Sequence, residues 1–250
     1  MARCPFARWR PLPENGSQPR IKPTQAILHS AVDSPRPLTS LYGFFSRTDV
    51  TVESHFHILN DGTIEQYMDT TVRADANRDA NARAVSIETE DDGDPDNTPW
   101  TTAQINSIIR LLHWLRDTHG IPLTTCPAWD KPGLGWHSMW GAPSRWTPAR
   151  GKTCPGRLRI RQIHDVILPA LAFQEIAMPT ADGALSDDTL HALTILAYGA
   201  FLFRPPEGLS QIAGGTEAMK KEGVASYVAG IANSPEATQK RGDLAKAHGW

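Results

Sequence analysis

Apolar and polar positions along the first half of the chain fall into short runs bounded by turn residues. QAILHSAV (25–32) is a short apolar run that predicts a strand ending near His29. Residues 33–50, with Pro35 and Pro37, begin as a loop. Val52 to Leu59 then leads into Asn60-Asp61-Gly62, and Thr63 to Tyr67 returns, which predicts a hairpin. AVSIETE (84–90) predicts a third strand that ends in acid. EDDGDPDN (90–97) predicts a solvated loop whose acidity alone implies no metal.

The period changes at Thr101. Gln104 sits where a capping box needs it, and Ile105, Ile108, Ile109, Leu112 and Leu115 share one helical face until Gly120. Residues 120–156 are irregular and dense in Trp, Pro and Gly, and a loop of that length in a compact domain is usually functional. A second helix is expected from about Arg157 to Phe173, with Leu158, Ile163, Val166, Ile167 and Leu171 as its buried stripe. Residues 1–23 read as an extended arm and 177–183 as a linker. Beyond it Ser186 caps a helix carrying Leu190, Leu193, Leu196 and Phe201, RPPEG (204–208) breaks it, and one or two short helices follow between Thr216 and Lys246. The expected division is thus a domain over 1–176 with its arm, a linker over 177–183 and a helical module over 184–250.

Composition narrows the class. The chain has 250 residues, a formal charge of −2, and 40% hydrophobic and 21% charged residues, which is ordinary globular composition. No apolar run is long enough to span a bilayer, and the near-zero charge gives no reason to expect nucleic acid as a partner. The N-terminus has positive charge without an apolar core, so synthesis in a cytoplasm without a signal peptide is expected. Three cysteines, Cys4, Cys126 and Cys154, make no disulfide framework, and a Cys4–Cys126 bond is open but unforced.

Of the nine histidines, His113, His119, His164 and His191 are expected on or at the ends of helices with structural or surface roles, and His248 near a terminus. His29 closes an apolar strand, while His137 in GWHSMWG and Cys154 in GKTCPG lie in the long irregular segment. Two imidazoles and a thiolate can form a zinc set with its fourth position open, the pattern of a catalytic site. Their spacing fits no compact finger motif, so a buried cysteine before a helix with a core histidine stays open at this point.

The order of AILHSAV, SHFHILNDGTIEQ, AVSIETE, GWHSMW and KTCPG, on strand, hairpin, strand, loop and loop, resembles the zinc-dependent N-acetylmuramoyl-L-alanine amidases. That family is shared by phage lysozyme-type amidases, bacterial amidases and peptidoglycan recognition proteins. RCPFARWRPLPENG and SIETEDDG look most like endolysins of actinobacterial phages. The resemblance, over residues 25–173, implies an α/β fold with a central mixed β-sheet flanked by helices; a small all-α module follows. It implies zinc (Zn2+) bound by His29, His137 and Cys154. Lys152 matches a basic residue that stabilises the transition state, and Glu88 an acidic residue assigned as general base; Glu90 fits that role less well. A solvated loop lysine and an exposed strand-end carboxylate are the plainer alternatives. Ser54 stands where other members carry a catalytic Tyr.

The implied reaction is hydrolysis of the amide between N-acetylmuramic acid and the L-alanine of the stem peptide. Six of the eight tryptophans fall between Trp100 and Trp146, and Trp136, Trp140 and Trp146, nearest the ligands, are candidates for a substrate groove. His55 and His57 share a strand face that is either site or core, and His55 is the candidate for substrate contact. Action at the bacterial cell wall, with peptidoglycan as partner, no stable membrane insertion, and release through the holes of a second protein, a holin, completes the endolysin reading. The alternative is a non-catalytic peptidoglycan-recognition protein of the same fold. A zinc hydrolase of another amide is the third reading. The chain lacks the His-Glu-x-x-His helix of common metalloproteases.

Overall fold

A computed structural model describes residues 2–31, 40–147, 153–171, 190, 209–222, 227, 230–231 and 234–247. The chain divides into two compact units, Met1–Leu171 and Ala172–Trp250.

The first unit is built on a six-stranded mixed sheet. Its strands are β1 (Arg8–Trp9), β2 (Gln25–Leu28), β3 (Phe56–Ile58), β4 (Ile64–Gln66), β5 (Ala84–Thr89) and β6 (Gly133–Trp136), in the order β1-β4-β3-β5-β2-β6. Only β3 and β4 pair antiparallel, joined through Asn60-Asp61-Gly62 with Gly62 at φ 83°. The other neighbours run parallel. The expected strands and hairpin are present, each shorter than its apolar run. β1 and β6 lie in segments expected to be an arm and an irregular loop. A four-residue helix, α1 (Tyr42–Phe45), adds to the segment expected to begin as a loop.

Alternation divides the sheet. Ala26, Leu28, Phe56, Ile58, Val85 and Ile87 face one way, into a core shared with Ile108, Leu111, Leu112 and Leu115 of helix α2 (Thr102–His119). Its start follows from local chemistry. The Thr101 hydroxyl accepts from Gln104 N at 3.0 Å, and the Gln104 side chain accepts from Thr101 N at 3.0 Å. Gly120 ends the helix at φ 71°, a left-handed conformation that glycine adopts without steric cost.

The helix after residue 156 corrects the expected stripe. It runs as α3 (Arg157–Gln162) and continues through a π turn over Ile163–Ile167. Ile163, Ile167 and Leu171 are buried, but Leu158 and Val166 are 37% and 43% exposed. Val166 lies within the wider turn, which shifts the phase of the face there; ahead of it, in the first turn of α3, the buried side chain is Arg159 rather than Leu158.

In the second unit the described helices are Leu209–Glu222 and Pro235–Ala247. The expected linker over 177–183, and the helix expected after Ser186 apart from Leu190, lie outside the described residues, as does the break at 204–208. No helix among the described residues is long and apolar enough to cross a membrane.

Candidate functional site

β2 lies between β5 and β6, and all three run parallel, so their carboxyl ends meet at one sheet edge. That edge is where ligands bind open α/β sheets. The register places Leu28 beside both Ile87 and Trp136. The next residue of each strand path therefore comes abreast: His29, Glu88 and His137. Because Leu28 and Ile87 face the α2 core, His29 and Glu88 face the opposite side.

The backbone of His29 is pinned there. Its N–H donates to the Ile87 carbonyl at 2.8 Å, and its carbonyl accepts from Thr89 N at 3.1 Å and Thr89 Oγ1 at 2.7 Å. Cys154 arrives from the loop before α3. Its carbonyl accepts from Ser138 N at 3.0 Å, and its Sγ accepts from Ser30 N at 3.3 Å. Gly156, at φ 114°, is held so close to Pro95 that a Cβ there would lie 2.0 Å from the Pro95 carbonyl oxygen. Only glycine allows that passage.

One ligand atom from each of His29, His137 and Cys154 falls within 4.8 Å of the others, and the two rings lie 4.3 Å apart at their centroids. The donor set fits a zinc ion. The spread is small enough for side-chain rotation to bring two nitrogens and a sulfur to ligand distances of about 2.0–2.3 Å. Both rings are also oriented through their far nitrogen. Nε2 of His29 lies 2.8 Å from Oδ1 of Asn77, and Nε2 of His137 lies 3.0 Å from the Trp146 carbonyl oxygen. A ring that donates from Nε2 carries its lone pair on Nδ1, the arrangement typical of metal-binding histidines.

Glu88 stands beside this cluster, 14% exposed, with Oε1 3.6 Å from Nδ1 of His29. A cavity of about 860 Å³ opens over the group. Its lining includes His29, Glu88, His137 and Cys154, together with groups that sequence reasoning missed: Phe45, Val52, Glu53, Asp75 and Arg78. Burial first, and then the charge of Asp75, push the Glu53 carboxyl up to about 7.

Below the site lies a buried cation that was also missed. Arg159 donates to Ser30 Oγ at 2.7 Å, Thr89 Oγ1 at 3.1 Å and the Thr98 carbonyl at 3.0 Å, and lies 3.7 Å from Asp91. Ser30 in turn donates to the Pro155 carbonyl at 2.6 Å. Arg159 thus ties the end of β2 to the cysteine loop. Asp91 is 1% exposed and Glu90 7%, so the start of EDDGDPDN is buried rather than solvated. Asp94 and Asp96 of the same run line the cavity.

Two of the four expected substrate contacts, His55 and Trp146, are buried and need correction. His55 is fully buried, with Nε2 2.9 Å from the Val72 carbonyl oxygen and Nδ1 accepting from Ser86 N at 3.1 Å. Both nitrogens are spent inside the fold, and burial pushes the imidazole down to about 4. Trp146 borders the cavity, but its residue is 0% exposed. Its ring fills the space left by Gly135, where a Cβ would lie 2.4 Å from it, and its Nε1 donates to the Trp129 carbonyl. Trp136 packs against the main core and the His164 ring, 5.2 Å away, and Trp140 packs against Trp146; neither is among the cavity-lining residues. Ser54 is buried and donates to the Phe56 carbonyl, so its hydroxyl does not replace the missing phenol. Cys4 and Cys126 are both free. Lys152 lies outside the described residues.

A family model for N-acetylmuramoyl-L-alanine amidases matches residues 19–157, more than half of the chain. The chain belongs to this family. Among solved structures it is similar to the N-acetylmuramoyl-L-alanine amidase LysC from Clostridium intestinale URNW, at 20% identity and a TM-score of 0.45, over 64% of this chain and 94% of that one. PlyL matches at 17% identity and a TM-score of 0.46, over 66% and 93%. The Drosophila peptidoglycan recognition protein PGRP-SA matches at 12% identity and a TM-score of 0.44, over 64% and 92%. No curated protein matches.

Proposed function

We propose that this amidase-family chain is a zinc-dependent enzyme that hydrolyses the amide between N-acetylmuramic acid and the L-alanine of the stem peptide, and that it serves as a phage endolysin. The observation that carries the reading is the convergence of His29, His137 and Cys154 in the lining of an 860 Å³ cavity. Two imidazoles and one cysteine sulfur are three protein ligands, the number that a catalytic zinc site uses while keeping its fourth position open. Zinc bound there supplies Lewis acidity toward the amide carbonyl and toward water.

The chain's own residues do the rest. Glu88, beside the ligand cluster, takes the proton of the attacking water and returns it to the leaving amine. Lys152, assigned by its family position, stabilises the developing oxyanion; loss of one preorganised donor of this kind commonly costs about 2.7–4 kcal/mol of barrier. Phe45 and Val52 offer apolar surface to the substrate, and Glu53, Asp75 and Arg78 offer polar contacts. We assign residues 1–176 to the catalytic domain, 177–183 to a linker and 184–250 to a helical module that positions the enzyme on the wall. Release through a holin and action at the cell wall belong to the same proposal.

The test is to digest purified cell wall and follow two products. New amino termini of L-alanine without new reducing sugars are expected. Reducing sugars without amino termini would overturn the reading. Wall binding with neither product would favour the non-catalytic recognition protein.

A further inference from the structure

The chain reaches His29 from behind through a residue with no part in the expected site. Asn77 is 0% exposed and lies just before the short helical turn Arg78–Ala80. Its four polar groups are all engaged, the backbone carbonyl accepting from Ala80 N at 3.0 Å. The backbone N–H donates to Asn81 Oδ1 at 2.6 Å, Nδ2 donates to Ser86 Oγ at 2.5 Å, and Oδ1 faces His29 Nε2 at 2.8 Å. Asn81 is anchored in turn, donating from Nδ2 to Asp75 Oδ1 at 2.8 Å. Ser86 is on β5, two residues before Glu88, so one buried amide joins the imidazole to the strand that carries the acid.

An amide side chain has one accepting end and one donating end. With Nδ2 on Ser86 Oγ, the carbonyl oxygen faces His29, and it accepts a hydrogen bond when the ring carries its proton on Nε2. We propose that Asn77 is a positioning residue for metal binding: it holds the His29 ring in the rotamer and tautomer that direct the Nδ1 lone pair into the ligand cluster. The inference rests on the reading of His29, His137 and Cys154 as a metal centre. It adds a residue that touches neither metal nor substrate. Outer partners of this kind typically change metal affinity 10–100-fold when removed.

The test compares Asn77→Leu, which has no acceptor, with Asn77→Asp, which keeps one in the same place. Zinc affinity is measured on the full-length protein by competition with a chromophoric chelator. The His29 Nε2–H signal is followed by nitrogen-15 NMR in the metal-free protein. We expect Asn77→Leu to bind zinc 10–100-fold more weakly and to lose the slowly exchanging Nε2–H signal, while Asn77→Asp retains both within a few-fold. A purely structural role would make the two variants lose affinity in step with their loss of melting temperature. That pattern, unchanged affinity in a folded Asn77→Leu, or a His29 ring protonated at Nδ1 in the metal-free wild type would overturn the proposal. Zinc that binds no variant, wild type included, would instead refute the metal centre itself.

Discussion

His57 offers a substitution expected to strengthen the fold. It is the central residue of β3, between Glu65 on β4 and Glu88 on β5, and is 0% exposed. Both ring nitrogens are buried without a hydrogen-bond partner. Burial pushes the imidazole down to about 4, against the opposing pull of Glu65 and Asp91. An unsatisfied buried polar group costs about 1–3 kcal/mol, and an apolar side chain of similar size removes that cost. A second contribution depends on pH. Below its ordinary value of 6.5 the unfolded chain takes up a proton that the folded ring refuses, so the wild type loses stability as pH falls toward 4. At about 1.36 kcal/mol per pH unit, the loss between pH 6.5 and 5 is on the order of 2 kcal/mol. His57→Leu should therefore stabilise by about 1–3 kcal/mol at pH 7.5 and by roughly 2 kcal/mol more at pH 5. Urea unfolding of metal-free protein at both pH values measures this by tryptophan fluorescence, since only Trp250 lies outside the unit Met1–Leu171. A destabilised variant at pH 7.5, or a stability difference that does not change with pH, would show that the buried ring is not the source of the cost.

Other perturbations probe the supports of the site. Gly135→Ala drives a methyl group into the Trp146 ring and should cost about 1–3 kcal/mol in thermal unfolding; zinc affinity should fall with it, because the Trp146 carbonyl orients His137. Arg159→Met removes the cation 3.7 Å from buried Asp91 and should destabilise by about 3–5 kcal/mol, read by urea unfolding. Glu53 works in the opposite sense to His57. Its raised value, about 7, means that the folded state binds the proton more tightly, so stability falls as pH rises from 4.5 through 7. Glu53→Gln should match the wild type near pH 4 and exceed it at pH 8 by at most about 3 kcal/mol in paired melting curves.

Elements with strong local chemistry were legible in the sequence. Thr101 and Gln104 with Gly120 delimit α2, Asn60-Asp61-Gly62 turns the hairpin, and AVSIETE coincides with β5 over Ala84–Thr89. β6 was not legible, because GLGW has no alternation of its own and becomes a strand by pairing with β2. Val166 is exposed within a π turn that no periodicity announces, and Leu158, ahead of it in α3, is exposed where Arg159 takes the buried position. Ligand candidates could be picked from residue type and motif order, since His29 and His137 end strands whose register is set by their neighbours. Their supports could not. Asn77 has no local signature, and Asp91 is buried because Arg159, far along the chain, accompanies it. Tryptophan density marked the right region but not the direction of the rings; Trp146 borders the cavity yet fills the space beside Gly135 and is fully buried.

The proposed chemistry depends on His29, His137 and Cys154 holding one zinc ion. X-ray absorption at the zinc edge of the stoichiometrically loaded protein reads the ligands themselves. We expect one sulfur at about 2.3 Å and two imidazole nitrogens at about 2.0–2.1 Å, with the sulfur shell lost in Cys154→Ser. A wild-type spectrum without sulfur, or a protein that takes up no zinc, would contradict it.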